Sequence, residues 1–352
     1  MAARSSAPVI GALCNTSNAE GDASSTDDAD KGPFSAHHWV LTTGYRHQYS
    51  HRHFVGTKEQ VQREQQGTEV VNSINLFDVS LTYEFNPRWS ITASVPVLNA
   101  TRTYDHQLFQ TLLHVPGAPD QVSNSNGIGD IGVSAQFWLL RPPAEHGHNV
   151  AFSFGAVFPS GDASATDTVE TVNGPQRVFV DSSIQPGAGG YGIVFGTQAY
   201  QAVKRSVLYI SGSYEITPQE MDQTPNASLA GVALKPNPLA TYMSIPDNYL
   251  VDGGIAHPFP HVRGLAVKGG LRYEGIKVKD LIGGSLGFRR PGYGLSVEPG
   301  FQYERNRCTW TFNLPVAVQR NRKRSVPDQM QGTAGDAAFA DYFLLFGFSK
   351  HF

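Results

Sequence analysis

The chain has 352 residues, 40% apolar, 16% charged and 11% aromatic, with 36 Gly, 22 Pro and a formal net charge of −3. Low charge with abundant Gly and aromatics favours strands and turns over helices, and the charge balance gives no argument for a nucleic-acid partner. No run approaches the ~18 apolar residues of a transmembrane helix, so any membrane crossing must be made by strands.

The start of the chain is weakly informative. Arg4 followed by Ala7-Pro-Val-Ile-Gly-Ala-Leu-Cys14 has the shape of a remnant of a secretory signal, at the short end of the ~7–15-residue apolar core. Leu13 before Cys14 argues against a lipoprotein site. Residues 15–35 are small, polar and acidic, with Glu20, Asp22, Asp27, Asp28 and Asp30 and no periodicity. The expectation is a disordered tail over 1–35 and a single domain over 36–352.

From Trp39 the sequence alternates. Trp39, Leu41, Thr43 and Tyr45 share one face of a strand, and Thr42, Gly44, Arg46 and Gln48 the other. A polar stretch from His51 to Glu69 interrupts this pattern. Phe77, Val79, Leu81, Tyr83 and Phe85 then alternate with Asp78, Ser80, Thr82 and Glu84. Asn86-Pro87-Arg88 turns the chain into Trp89, Ile91, Ala93, Val95 and Val97. Period two across a short connection is a β-hairpin with one apolar and one polar face. A loop at about 100–126 leads to Ile131–Leu139, and a turn around 141–149 to Val150–Phe158. A loop at 160–182 precedes a strand from Tyr191. A tight turn at 202–205 leads to a strand at 206–215, and loop 217–246 to one at 248–256. Leu265–Glu274 follows the turn Pro258–Arg263. Loop 276–291 leads to Tyr293–Tyr303, and turn 304–309 to Trp310–Val318. After loop 319–337, the chain closes on Tyr342, Leu344, Phe346, Phe348 and Phe352 along one face.

That is about twelve strands, an even number, with long loops after odd strands and short turns after even ones. A soluble β-sandwich has no reason to alternate loop length with this parity. An antiparallel up-and-down transmembrane β-barrel does, with short periplasmic turns and long extracellular loops. Trp39, Phe85, Trp89, Tyr303 and Trp310 sit at the ends of apolar faces, as interfacial girdles require. Closing the last strand onto the first pairs every backbone group and leaves no edge in lipid. The polar face must then line a lumen.

Four segments resemble a family of outer-membrane transporters named for the MetA pathway of phenol degradation. They are Gly127-Ile-Gly-Asp-Ile-Gly-Val133, Phe158-Pro-Ser-Gly-Asp162, Asp280-Leu-Ile-Gly-Gly-Ser-Leu-Gly-Phe288 and Gly335-Asp-Ala-Ala-Phe-Ala-Asp341. Ser160 stands where the family pattern has Thr. The resemblance implies an outer-membrane β-barrel and passage of small aromatic or hydrophobic compounds, and it carries over no substrate-binding residue.

Four groups of residues are candidates for function. Asp78, Glu84, Asp130, Lys268, Arg272, Glu274 and Glu298 fall on polar faces, where they could filter solutes or rigidify the lumen through salt bridges. Five of the twelve His lie between His37 and His53. In an extended strand His47, His51 and His53 share a face, the last two roughly 7 Å apart, a spacing that suits Zn or Cu but also a solvated loop base. His146 and His148 lie in a short turn. Arg320, Arg322, Lys323 and Arg324, with Arg289 and Arg290, are extracellular candidates for lipopolysaccharide phosphates. Cys14 and Cys308 both fall on the oxidising periplasmic side and could pair. No Gly-x-Ser-x-Gly elbow, phosphate loop or dinucleotide fingerprint appears, so neither an enzyme nor a cofactor is expected.

The reading is an outer-membrane barrel channel for passive passage of small solutes, with lipid, lipopolysaccharide and solute as partners and oligomeric state open. A plugged scaffold or receptor barrel, and a metal-handling barrel using the His-rich first loop, are the alternatives.

Overall fold

The structure, a computed structural model, describes residues 38–141, 147–226 and 238–352. The tail over 1–35, Cys14, His37 and His146 lie outside the described residues.

Twelve antiparallel strands form one closed sheet. They are β1 (Trp39–Val55), β2 (Val70–Asn86), β3 (Trp89–Tyr104), β4 in two pieces (Gln121–Ile128 and Ile131–Trp138), β5 (His148–Phe158) and β6 (Gly192–Val203). Then follow β7 (Ser206–Ile216), β8 (Asn248–Pro258), β9 (Leu265–Ile276), β10 (Gly292–Arg305), β11 in two pieces (Cys308–Asn313 and Val316–Arg322) and β12 (Ala337–His351). Each strand pairs with its neighbours in sequence, and β12 pairs back onto β1 from Val40↔His351 to Phe54↔Ala337. The last strand thus closes the sheet, as its aromatic alternation implies.

The alternation sorts side chains as expected. Val40, Thr42, Arg46, Gln48 and Ser50 of β1 are buried inward, while Phe77, Val79 and Leu81 of β2, Phe152 and Phe154 of β5, and Tyr342 and Phe346 of β12 are exposed outward. An apolar belt of this extent around a barrel is a lipid-facing surface. At the short-turn end it is edged by an aromatic girdle. Trp39 lies 4.9 Å from Tyr83, and Trp310 stands 5.7 Å from Tyr303 and 5.6 Å from Phe348, ring centre to ring centre. One of the turns there, Asn306-Arg307, has φ values of 53° and 61°, the left-handed pair that a two-residue turn matching the strand twist needs.

Three loops are shorter than the sequence suggests. Strands β1, β3, β4 and β11 run on through His51–Val55, Asn99–Tyr104, Gln121–Asn126 and Gln319–Arg322. Above the membrane belt both faces meet water or other loops, so the backbone ladder continues after the period-two pattern has gone. Two strands break where their chemistry demands it. β11 is interrupted at Leu314-Pro315, where proline has no N–H to give to the ladder, and β4 at Gly129-Asp130. The long loops also hold structure: a hairpin of Thr166–Thr171 with Gly174–Phe179, a pairing of Met221–Pro225 with Tyr242–Ser244, and the short helices Val61–Gln65 and Val326–Met330.

Candidate functional site

The lumen holds the chemistry, in two tiers. Near mid-barrel, Arg46 of β1 reaches across to Glu274 of β9, Nη2 to Oε1 at 2.7 Å, with its guanidinium 4.2 Å above the Phe343 ring of β12. Arg272 donates to the other Glu274 oxygen at 2.8 Å and lies 3.9 Å from Glu298 of β10. Lys268 sits 4.9 Å from the Tyr209 ring centre. Asp252 of β8 and Glu298 are 0% and 1% exposed, and their carboxylate oxygens have no hydrogen-bond donor among the described residues. Charges taken out of water this way are tolerated only as a mutually compensating set. Four strands thus contribute charges to one cross-lumen network.

The upper tier is a loop folded inward. Val180 and Ile184 pack on the inward-facing Ile74, Leu76, Leu98 and Ala100 of β2 and β3, all buried. Between them Asp181 takes both guanidinium nitrogens of Arg290 at 2.8 Å and lies 3.7 Å from Arg102 of β3. Burial alone would raise the Asp181 carboxyl, but Arg102 and Arg290 hold it well below the ordinary carboxylate range. Arg102 is itself fixed by Asn72 and the Tyr104 hydroxyl, both at 2.6 Å. The segment Val180–Gln185 is therefore an apolar wedge with an ionic lock.

Extracellular clamps surround the wedge, and they use the motifs singled out in the sequence. Asp130 sits at the break in β4 and accepts from the Gly161 N–H at 3.0 Å and the Ala188 N–H at 2.6 Å. Ser160 Oγ takes the Ile131 N–H at 2.8 Å. Gly161 and Gly187 press backbone to backbone, for a Cβ on Gly187 would lie 2.3 Å from the Gly161 carbonyl oxygen. The first two motifs therefore meet in space and aim the wedge. Asp280 of the third locks Arg289 at 2.6 and 2.8 Å. In the fourth, Asp341 pairs with Arg52 at 2.7 Å and with Arg320. Asp336 pairs with His53 and Arg63, each at 3.1 Å. Burial would raise the Asp336 carboxyl, but the His53 hydrogen bond and the Arg63 charge bring it down to about 2.

The expected residues distribute as follows. Lys268, Arg272, Glu274 and Glu298 are brought together in the lumen. Asp78 is buried inward, with one oxygen bonded to Ser80 at 2.7 Å, and Glu84 stands apart near the periplasmic turn. Asp130 anchors a loop rather than lining the lumen wall. His47, His51 and His53 do not converge. His47 bonds Asn75 at 2.9 Å on the outer face, and the His51 ring lies tilted 5.3 Å from that of Tyr49. Register shifts between Gln48 and Arg52 turn His53 inward, where its Nε2 accepts from the Val70 N–H at 2.9 Å. Of the six basic candidates, Arg289, Arg290, Arg320 and Arg322 are engaged inward, Arg322 with Asp328 at 3.2 Å, and Lys323 and Arg324 are exposed. Cys308, at the start of β11, makes no disulfide among the described residues, and His148 is exposed at the start of β5. The residues missed were Arg46, Arg102, Asp181 and Asp252. Arg46 was visible as a charge on the inward parity of β1. Asp181 gave no signal, because a loop has no period.

No protein-family model matches the chain, and no curated protein matches it. Solved structures do. An outer-membrane channel, COG4313, from Pseudomonas putida F1 aligns at a TM-score of 0.58 and 9% identity, covering 93% of this chain and 100% of that one. The Ralstonia pickettii toluene transporter TbuX aligns at 0.43 and 11%, covering 91% of each chain. The translocator domain of the autotransporter NalP from Neisseria meningitidis aligns at 0.43 and 11%, covering 92% and 90%. The first likeness establishes a shared fold, and the other two fall below the level at which one follows. The fold is that of an outer-membrane barrel. Its lipid-facing belt, girdle and loop asymmetry place the apolar wall in the bilayer, with the wedge and clamps at the extracellular end.

Proposed function

We propose that the barrel passes small hydrophobic or aromatic solutes across the outer membrane by passive diffusion, selected by the wedge and the charge network. The observation that carries this reading is the apolar strip Ile74, Leu76, Leu98 and Ala100 on the inner wall, roofed by Val180 and Ile184. A barrel built only for ions and water presents a polar interior. With the wedge moved aside the apolar strip desolvates an aromatic ring, and the ionic tier below excludes bulk flow. The P. putida neighbour is described as an outer-membrane channel, and the motif resemblance points to aromatic compounds. Passage needs no bond-making group.

The plugged-scaffold reading has two observations in its favour, the inward-folded Val180–Gln185 wedge and the Arg46–Glu274 bridge across the lumen. Proteoliposome uptake separates the two. Loaded with this barrel, vesicles should take up a phenol- or toluene-sized solute several-fold faster than empty ones, and faster than a sugar of equal size. Equal rates with and without a folded barrel would favour the scaffold. Among the six basic candidates, lipopolysaccharide contact falls to the exposed Lys323 and Arg324.

A further inference from the structure

A second concavity lies on the outside of the barrel, in the lipid-facing wall. Its volume is 860 Å³, and it lies across β6 to β9 near their extracellular ends. Outward residues of adjacent strands make its bed: Thr197, Gly212, Val251 and Tyr273 in one paired row, and Phe195, Tyr214 and Tyr249 in the next. Gly212 is what makes it deep, since every neighbour in its row carries a side chain. Tyrosine rings form one wall, with Tyr249 and Tyr273 5.4 Å apart and Tyr293 a further 5.1 Å on. Their polar edges are tied down, the Tyr249 hydroxyl to that of Tyr273 at 3.3 Å and the Tyr214 hydroxyl to Asp247 at 2.8 Å. Lys277, Lys279 and Lys323 stand on the rim at the extracellular end. All three are exposed, and none makes an ion pair among the described residues. The Lys323 ammonium lies 5.5 Å from the Tyr293 ring centre.

We propose that this groove is a binding site for a phosphorylated outer-leaflet lipid of the lipid A type, one acyl chain on the glycine-floored bed and the phosphates on the three lysines. The chemistry selects the occupant. A bed facing hydrocarbon takes an alkyl chain, and tyrosines at headgroup depth present an apolar body with a polar edge. Three lysines on the rim, with no ion pair among the described residues, fit a multiply charged anion, which a neutral aromatic solute does not supply. The site is independent of the lumen and of any transport through it.

Native mass spectrometry of the full chain in neutral detergent tests this, with hexa-acylated bisphosphorylated lipid A, its dephosphorylated form and inorganic phosphate as separate probes. One bisphosphorylated lipid per barrel should be retained. Replacing all three lysines with Gln should weaken it by about a hundredfold, at ~1 kcal/mol per cation. Gly212→Leu provides a second test that leaves every charge in place. A Cβ there would meet only the Leu250 carbonyl at 3.4 Å and Val251 Cγ2 at 3.6 Å, so the barrel should fold while the bed is filled and the lipid lost. Dephosphorylated lipid bound as tightly, inorganic phosphate competing at the lipid's own affinity, or a Gly212→Leu barrel that keeps its lipid would each overturn the proposal.

Discussion

The periplasmic and extracellular halves of this barrel are built on different physics. Toward the periplasm the inner wall is mostly small and hydroxylic, with Thr82, Ser90, Ser94, Thr309 and Ser349 buried. Its connections are tight turns and its outer edge is an aromatic girdle. Toward the cell exterior, charged residues from different strands and loops are buried against each other, and a loop packs inward on an apolar strip. The periplasmic half is held by ladders between neighbouring strands, and the extracellular half also by ion pairs that reach between strands far apart in the sheet, such as Arg46 of β1 with Glu274 of β9. Strength of folding therefore belongs to the sheet, and control of passage to the extracellular half.

The largest expected effect lies at the boundary between the halves. Arg272→Ala leaves Glu298 and Asp252 without their nearest cation and should cost about 3–5 kcal/mol, read as a lower midpoint in urea unfolding from vesicles. Arg272→Lys should recover only part of this, since one ammonium cannot serve both Glu274 and Glu298. A lipid-face change comes next. Phe154→Arg, outward on β5 and 58% exposed, should cost about 2–4 kcal/mol near mid-bilayer. An arginine tolerated there would move β5 out of the lipid belt. Asp181→Asn should cost about 1–3 kcal/mol but act mainly on passage, freeing the wedge and raising solute flux several-fold. Smallest is the Ser325 cap, whose hydroxyl takes the Asp328 N–H at 3.2 Å. Ser325→Ala should cost about 1 kcal/mol and leave flux unchanged.

Acid should separate the halves as well. Asp336 is held at about 2, below its ordinary 3.8, and Asp181 is also depressed. A carboxylate with a lowered folded-state value stabilises fully above its unfolded value and loses that contribution as pH falls through the folded one. The clamps should therefore hold unchanged from pH 7 to about pH 4.5 and weaken only below about pH 4. Loop opening, followed by protease accessibility, should precede loss of the sheet. An opening centred near pH 6 would assign the clamps to other groups.

Much of the first half was legible in the sequence, and little of the second. Phe77 to Phe85 against Asp78 to Glu84 shows the strand, its two faces and the membrane, because lipid on one side and lumen on the other impose period two. The same logic misplaced Asp130, whose parity matched the lumen wall but whose position beside Gly129, at a strand break, makes it a loop anchor. It also ended β1 too early and set three histidines on one face, since a register shift inside a polar strand has no pattern to betray it. Arg289 and Arg290 read as free cations because their partners, Asp280 and Asp181, are assigned only by how the loops fold. Outward chemistry is local and can be read; inward chemistry between loops is not.

Single-channel conductance in a planar bilayer tests the central claim most directly, comparing the unmodified barrel with Asp181→Asn. If the Val180–Gln185 wedge governs the extracellular half, the unmodified barrel should give small steady steps and the variant larger ones, with phenol-sized solutes reducing both. Identical currents from the two, or none from either when both are shown to be folded, would contradict it.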